Sequence, residues 1–288
     1  MSVVERAKDA ARARRARVIL PELEDERISR AVRILREQRL ADPVALAEPS
    51  DALAEVLVQS RGVKPAIAAR MLAKPLIRAA AMVAAGEAEA MVAGAVAPTR
   101  RVIEAASLAI GLADGITLPS SFFLMAFPDG REMVFADCAV NTDPDADALA
   151  AIAAASSASA TALLGSARLA LLSYSTGTSG TGPSVLRVAE AARLLRERGI
   201  AAEGPVQADA ALNAAIAAKK GAGGGDANVL VFPSLDAGNI AYKLAQELAG
   251  AQAVGPFLQG FRKPVCDLSR GATVDDIIAA TAVTLALG

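Results

Sequence analysis

The run E-A-E-A-M-V-A-G-A-V-A-P-T-R-R-V-I-E-A-A-S-L-A-I, residues 87–110, decides the architecture. A turn leads into an apolar strand centred on Met91-Val-Ala93, and Pro98-Thr-Arg-Arg101 then opens a helix through Ile110. Strand followed directly by helix is half of a βαβ unit, the building block of a largely parallel sheet. The alternation extends towards the N-terminus. Arg17-Val-Ile-Leu20 reads as a strand, and Pro21-Glu-Leu-Glu-Asp-Glu-Arg27 leads into a helix with Ile28, Val32 and Leu35 at helical spacing. Pro43–Ala47 reads as a second short strand, residues 52–59 and 66–72 as helices, and Pro75 starts a helix running to Ala85.

Beyond Asp114 the rhythm changes. Residues 121–127 and 132–136, joined by Pro128-Asp-Gly130, predict a β-hairpin at the start or edge of a second lobe. A long helix over 146–164 follows, then the strand Leu169–Leu172, the polar loop 173–183 and a helix over 185–197. Lys219–Asp226 reads as a flexible linker. Val229–Phe232 is an apolar strand, with a helix over 240–248 after it and a last helix over 275–287. No internal repeat is present.

Composition narrows the chemistry. Apolar residues make up 53% of the 288-residue chain but aromatics only 3%, so the core must be built from closely packed Ala, Leu, Val and Ile, which suits α/β layers. The length favours two lobes. With 30 basic against 31 acidic residues the net charge is −1, and no global field attracts nucleic acid or an acidic membrane. An anionic substrate must therefore meet local arginines. There is no histidine, which excludes a Ser-His-Asp triad, a Cys-His pair and any His-ligated metal. Cys138 and Cys266 are too few for a disulfide framework or a zinc site, and are expected as buried thiols in a cytoplasmic protein. The charged N-terminus lacks the apolar stretch of a signal peptide. The uncharged run 148–167 is long enough to span a bilayer, but its serines and small side chains predict a buried helix.

Three polar, Gly-containing loops follow apolar strands, where open parallel sheets collect ligands. In Ser173–Gly182, glycines and the free amides of a helix N-terminus permit phosphate binding, with Ser175 and Thr176 as candidate substrate contacts, or the loop is an ordinary connection; no Walker lysine closes it. In Pro233–Asn239, Asp236 and Asn239 either contact a ligand or cap a helix starting at Ile240. The third, C-D-L-S-R-G-A-T-V-D-D-I (266–277), compresses a hydroxyl (Ser269), a guanidinium (Arg270), Gly271 and two carboxylates (Asp275, Asp276) into one strand-to-helix turn. Thr273 with Asp276 is also a capping box. The two readings are compatible, since a cap carboxylate can still face a ligand.

Five segments together resemble the phosphate acetyltransferases of the phosphate acetyl/butyryltransferase family. They are L-P-E-L-E-D-E-R (20–27), F-A-D-C-A-V-N (135–141), L-L-S-Y-S-T-G-T-S-G (171–180), A-N-V-L-V-F-P-S-L-D-A-G-N-I-A-Y-K (227–243) and G-P-F-L-Q-G-F-R-K-P-V-C-D-L-S-R-G (255–271). The resemblance implies reversible acetyl transfer from acetyl-CoA to phosphate, giving acetyl phosphate and CoA, with no metal or prosthetic group. It implies two α/β lobes with a cleft between them, similar to the isocitrate/isopropylmalate dehydrogenase fold. The first lobe is then 1–114 with 267–288 and the second 115–266. A homodimer is implied as well. Carried over onto this chain, Asp276 matches the base that takes the CoA thiol proton, Ser269 the group holding the acyl carbonyl, and Arg270 a contact to anionic substrate. A thiol titrates near about 8.5 and an aspartate near about 3.9, so full proton transfer between unperturbed groups is uphill by roughly 4–5 units. The site must therefore stabilise the thiolate, desolvate the carboxylate, or do both.

The chain departs from the family pattern after the β-strand at Met91. The family's His-Ser/Thr-Ser/Thr segment is replaced by Gly94-Ala-Val-Ala-Pro-Thr-Arg-Arg101, and Glu104 stands where the family carries an arginine. Arg100 or Arg101, one helical turn earlier, is the expected substitute phosphate contact. Two arginines in a helix's first turn oppose its dipole, which favours a bound anion. Arg61 is the candidate for a second family arginine, in a segment shorter than usual. The alternatives are a butyryl- or propionyl-transferring relative, and a non-catalytic acyl-CoA-binding or oligomerising module. The intact Ser269, Arg270 and Asp276 and the expected lack of a fused partner weigh against the module, and a dehydrogenase is disfavoured because no G-x-G-x-x-G follows a strand.

Overall fold

The computed structural model describes all residues, Met1–Gly288. In chain order, α1 (Val3–Arg14) precedes β1 (Arg17–Ile19), α2 (Glu26–Glu37) and β2 (Asp42–Val44). Three helices follow, α3 (Asp51–Arg61), α4 (Pro65–Met71) and α5 (Pro75–Ala84), then β3 (Ala90–Ala93) and α6 (Thr99–Ala109). The hairpin is β4 (Ser120–Ala126) with β5 (Glu132–Ala136), and α7 (Ala146–Leu164), β6 (Leu169–Leu172), α8 (Pro183–Glu197) and β7 (Ala202–Val206) come next. Short helices α9 (Ala208–Leu212) and α10 (Ala214–Lys220) lead to β8 (Val229–Val231) and α11 (Leu235–Ala249). The chain ends with β9 (Gln252–Gln259), β10 (Val265–Asp267) and α12 (Val274–Ala286).

Two compact units result, Met1–Pro119 with Gly255–Gly288, and Ser120–Val254. The structure thus puts residues 115–119 and 255–266 with the first unit, where the sequence-based boundaries stood at 114/115 and 266/267.

In the first unit the strand order is β2-β1-β3-β10-β9, parallel except for β9 against β10. The pairing of Ala93 with Asp267 puts the carboxyl ends of β3 and β10 side by side. α12 lies against α1, α2 and β3, and all its residues from Ile277 to Leu285 are buried, among them Ile277, Val283 and Leu285. That apolar run explains why a helix so far along the chain belongs to this unit.

In the second unit the order is β4-β5-β8-β6-β7, with only the β4–β5 hairpin antiparallel. The scarce aromatics concentrate in its core, where Phe123 stacks on Tyr242 with ring centroids 4.2 Å apart. α7 is long and apolar enough to cross a membrane, yet Leu149, Ile152, Ala153 and Ala160 are buried and it packs on β4, β5, β6, β8 and α8. It is the core helix that its serines predict.

Several expectations are corrected. α11 begins at Leu235, capped by Ser234, not at Ile240. Lys219 and Lys220 close α10, and Lys220 and Asp226 are tied by ion pairs to Asp209 and Arg168, so the predicted linker is built structure. β7 and β9 fall where no strand is expected; each contains a Gly-Pro pair, which reads as a turn.

Candidate active site

The register of β3 and β10 assembles the site in the first unit. Beyond the pair, Leu268 N–H donates to Ala93 O at 2.6 Å, and both chains then turn into helices. After β10, Ser269 closes a tight turn: its Oγ accepts from Gly271 N–H at 3.2 Å and its carbonyl from Ala272 N–H at 2.9 Å. Thr273 caps α12. Asp276 Oδ2 accepts from Thr273 N–H at 3.0 Å and Oγ1–H at 2.7 Å, and Thr273 Oγ1 accepts from Asp276 N–H at 3.2 Å. The capping box thus aims a partly buried carboxylate from the same turn that exposes Ser269 and Arg270.

After β3, Gly94 adopts φ +103°, and a Cβ there would lie 2.4 Å from Asp267 Oδ1 and 2.8 Å from Leu268 N. Only glycine lets the two turns approach this closely. The next turn starts α6, whose Thr99 Oγ1 donates to Asp267 Oδ2 at 2.6 Å. Arg100 and Arg101 therefore stand on the turn linked to the Ser269 turn. Arg101 Nη1 donates to Glu104 at 2.7 Å, whereas Arg100 is exposed and in no ion pair. Arg101, Lys74 and Arg100 all favour the charged Glu104, Arg101 most strongly by its hydrogen bond, and lower its pKa. Glu104 thus sits among three cations and forms its ion pair with Arg101, not with Arg100. Arg61 lies elsewhere. It donates to the carbonyl of Ser107, eight residues and about 12 Å along α6 from Thr99.

The loop between β1 and α2 stitches these turns together, a role that single-residue reading missed. The Glu22 carboxylate fills a nest of backbone amides, accepting from Gly94, Ala95, Val96 and Ala97 at 2.7, 2.9, 3.2 and 2.7 Å. Arg27 donates to the carbonyls of Arg270 and Ala272 at 2.8 Å each and of Ala95 at 3.0 Å. Its guanidinium is held in place by Asp25, whose Oδ2 lies 2.8 Å from Nη2 and whose Oδ1 caps α2. The Arg27 hydrogen bond lowers the Asp25 pKa, and the same bond raises that of Arg27. The segment 20–27 carried the signal, but its partners are mostly backbone atoms far along the chain.

The thiols are not nucleophiles: burial pushes both Cys138 and Cys266 up, so they stay protonated. Asp267 is also buried, and burial raises its pKa to about 7.

Ser175 and Thr176 lie in the second unit, in the loop after β6, and Asn239 lies in the second turn of α11. Ser175, 1% exposed, accepts from Gly180 N–H at 2.8 Å and pairs with Ser179 Oγ at 3.1 Å. Thr176 Oγ1 accepts from Gln207 N–H at 3.1 Å. The Ser175 hydroxyl braces its own loop, and the Thr176 hydroxyl ties that loop to Gln207 at the end of β7. Asn239 Nδ2 donates to Cys138 O at 3.1 Å, tying α11 to a turn built on buried Asp137, which accepts from the amides of Ala139, Val140 and Asn141. At Gly238 a Cβ would come within 2.3 Å of Asp137 O, so that contact requires glycine.

Residues 51–285 match the family model described as "Phosphate acetyl/butaryl transferase". The phosphate acetyltransferase of Paracoccus denitrificans is 40% identical over 313 residues, covering 99% of this chain and 98% of that protein. That of Nitratidesulfovibrio vulgaris is 38% identical over 311 residues, 96% of this chain, but this chain spans only 44% of its length. A phosphotransacetylase from Streptococcus pyogenes superposes with a TM-score of 0.92 at 31% identity, covering 99% and 97% of the two chains. A 4-hydroxythreonine-4-phosphate dehydrogenase from Klebsiella pneumoniae shares the fold alone, with a TM-score of 0.52 at 14% identity, covering 94% of this chain and 89% of that one.

Proposed function

The chain belongs to the phosphate acetyl/butyryltransferase family, and on that premise we propose that it transfers an acetyl group reversibly between CoA and phosphate. The observation that supports this reading is the turn at 269–276, where a capping box fixes Asp276 in the same short segment that exposes Ser269 and Arg270. In the direction of acetyl-CoA synthesis, Asp276 takes the thiol proton of CoA. The thiolate sulfur then bonds to the carbonyl carbon of acetyl phosphate, and the carbonyl π pair moves onto oxygen. Ser269 Oγ–H and loop amides stabilise that oxyanion. Its collapse breaks the bond to the phosphate oxygen and releases phosphate. Arg270 supplies positive charge to the thiolate and the phosphoryl group, which meets the energetic demand of the thiol-to-carboxylate transfer. Arg100 holds the phosphoryl oxygens from the neighbouring turn, while Arg61 stays at the far end of α6. CoA, acetyl-CoA, phosphate and acetyl phosphate are the substrates, and the scheme needs no metal or prosthetic group. Buried, protonated Cys138 and Cys266 suit a cytoplasmic setting, and the exposed row Ile240, Leu244, Leu248 on α11 supports a homodimer.

Arg100→Ala is expected to raise the KM for acetyl phosphate about tenfold, the scale of one lost charge-assisted hydrogen bond, with Arg101→Ala changing it less. Steady-state kinetics of the two variants checks this, and an equal or reversed ranking removes Arg100 from the anion site. Acyl selectivity is tested by comparing kcat/KM for acetyl, propionyl and butyryl phosphates. Acetyl phosphate is expected to lead; equal or better butyryl transfer replaces the acetyl assignment.

A further inference from the structure

Asp267 is the one buried carboxylate between the two turns, and the scheme above gives it no task. It is 1% exposed, its Oδ2 accepts from Thr99, and its Oδ1 is buried with no hydrogen-bond partner. A buried carboxylate oxygen without a donor is costly when charged and far less so when neutral. The surrounding groups offer no counter-charge. On the β1–α2 loop, Glu22 is itself anionic and Arg27 is spent on Asp25 and three carbonyls. On α6, Thr99 is neutral, Arg100 is exposed and Arg101 pairs with Glu104. On β10 and its turn, Cys266 is a protonated thiol and Arg270 is exposed; on α12, Asp276 is another carboxylate.

We propose that Asp267 is a positioning residue for acetyl transfer, whose uncharged carboxyl pins the Thr99–Arg101 turn to the Ser269 turn without adding negative charge where anionic substrates bind. The inference rests on the acetyl-transfer reading. Its pH dependence follows from the site: burial raises the Asp267 pKa to about 7, the Thr99 hydrogen bond opposes this, and the charge of Glu22 adds to it. Below about 7 the carboxyl is neutral; above it, a second negative charge appears beside Glu22. Binding of anions should then weaken as pH rises through about 7.

The test compares wild type, Asp267→Asn, Asp267→Ala and Thr99→Val between pH 6 and about 8.5, in the direction that consumes acetyl phosphate and CoA. Comparing variants cancels the substrates' own titrations. Wild type is expected to show a KM for acetyl phosphate that rises roughly five- to tenfold across the range. Asp267→Asn, neutral throughout, should keep the low-pH KM and lose the rise. Asp267→Ala and Thr99→Val should lower kcat, because the link between the turns is cut. Melting gives a readout independent of turnover. The raised pKa contributes stability that is full below about 4, the ordinary aspartate value, and lost as pH rises through about 7. The Tm of wild type should therefore fall relative to Asp267→Asn between pH 4 and about 7. A rise in KM that persists unchanged in Asp267→Asn, or parallel melting of the two, overturns the inference while the transfer reading stands. An inactive wild type overturns the transfer reading and takes the inference with it.

Discussion

Asp276→Asn is expected to lower kcat by roughly 10²–10⁴-fold, the usual contribution of a positioned general base, with the KM for CoA nearly unchanged. The substitution isolates the proton transfer because the capping box survives it. An asparagine oxygen can accept the same two bonds from Thr273 that the Asp276 carboxylate accepts at 3.0 and 2.7 Å. Helix α12 loses only one favourable charge at its N-terminus, on the order of 0.3–1 kcal/mol. Asp275→Asn removes an equivalent charge from the same turn at an exposed position, and should leave turnover close to wild type. A normal rate in Asp276→Asn, or an equal loss in both variants, would assign the proton to another group. With no histidine in the chain and both thiols buried and protonated, that group would have to be a second carboxylate, a lysine or a tyrosine.

The second large effect is expected at a residue whose side-chain hydrogen bonds go to the protein itself. Arg27 grips three carbonyls, those of Arg270, Ala272 and Ala95, while Asp25 holds its guanidinium flat. Lysine keeps the charge but presents a single ammonium point, which cannot span three carbonyls in that planar fork. Arg27→Lys should therefore let the Ser269–Thr273 turn shift. A displacement of about 1 Å at reacting groups costs on the order of 10²-fold, so kcat/KM should fall by about that factor with the fold intact. Hydrogen exchange at the Gly271 and Ala272 amides should speed up in the same variant. Full activity in both Arg27→Lys and Arg27→Met would show that the turn holds its shape unaided.

The sequence carried the βαβ rhythm well where elements are long or patterned. The helix over 146–164 and the 120–136 hairpin are observed nearly at their expected bounds, since an alanine-rich apolar run and a Pro-Asp-Gly connection leave few alternatives. The strands it hid are those whose local signals contradict their place in the sheet. Gly204-Pro205 and Gly255-Pro256 look like turns and lie inside β7 and β9, because sheet neighbours decide there and the dipeptide does not. β10 is only three residues long and took its meaning from pairing with β3.

The candidate site divides along the same line. The Ser269–Asp276 turn and the helix start carrying Arg100 and Arg101 were legible as polar turns, because each is one contiguous stretch of sequence. Glu22, Arg27 and Asp267 were not, because what defines them is contact with amides, carbonyls and a hydroxyl that lie 72 to 75, 68 to 245 and 168 residues away. Ser175 and Thr176 were legible as a polar loop, but the sequence did not reveal that the Ser175 hydroxyl braces it and the Thr176 hydroxyl ties it to Gln207.

Acetyl transfer between CoA and phosphate is measured most directly as formation of acetyl-CoA from acetyl phosphate and CoA by the purified protein. Turnover should need both substrates, release one phosphate per acetyl-CoA and run backwards when acetyl-CoA and phosphate are supplied. A folded protein that binds CoA yet transfers no acetyl group in either direction would contradict the transfer reading.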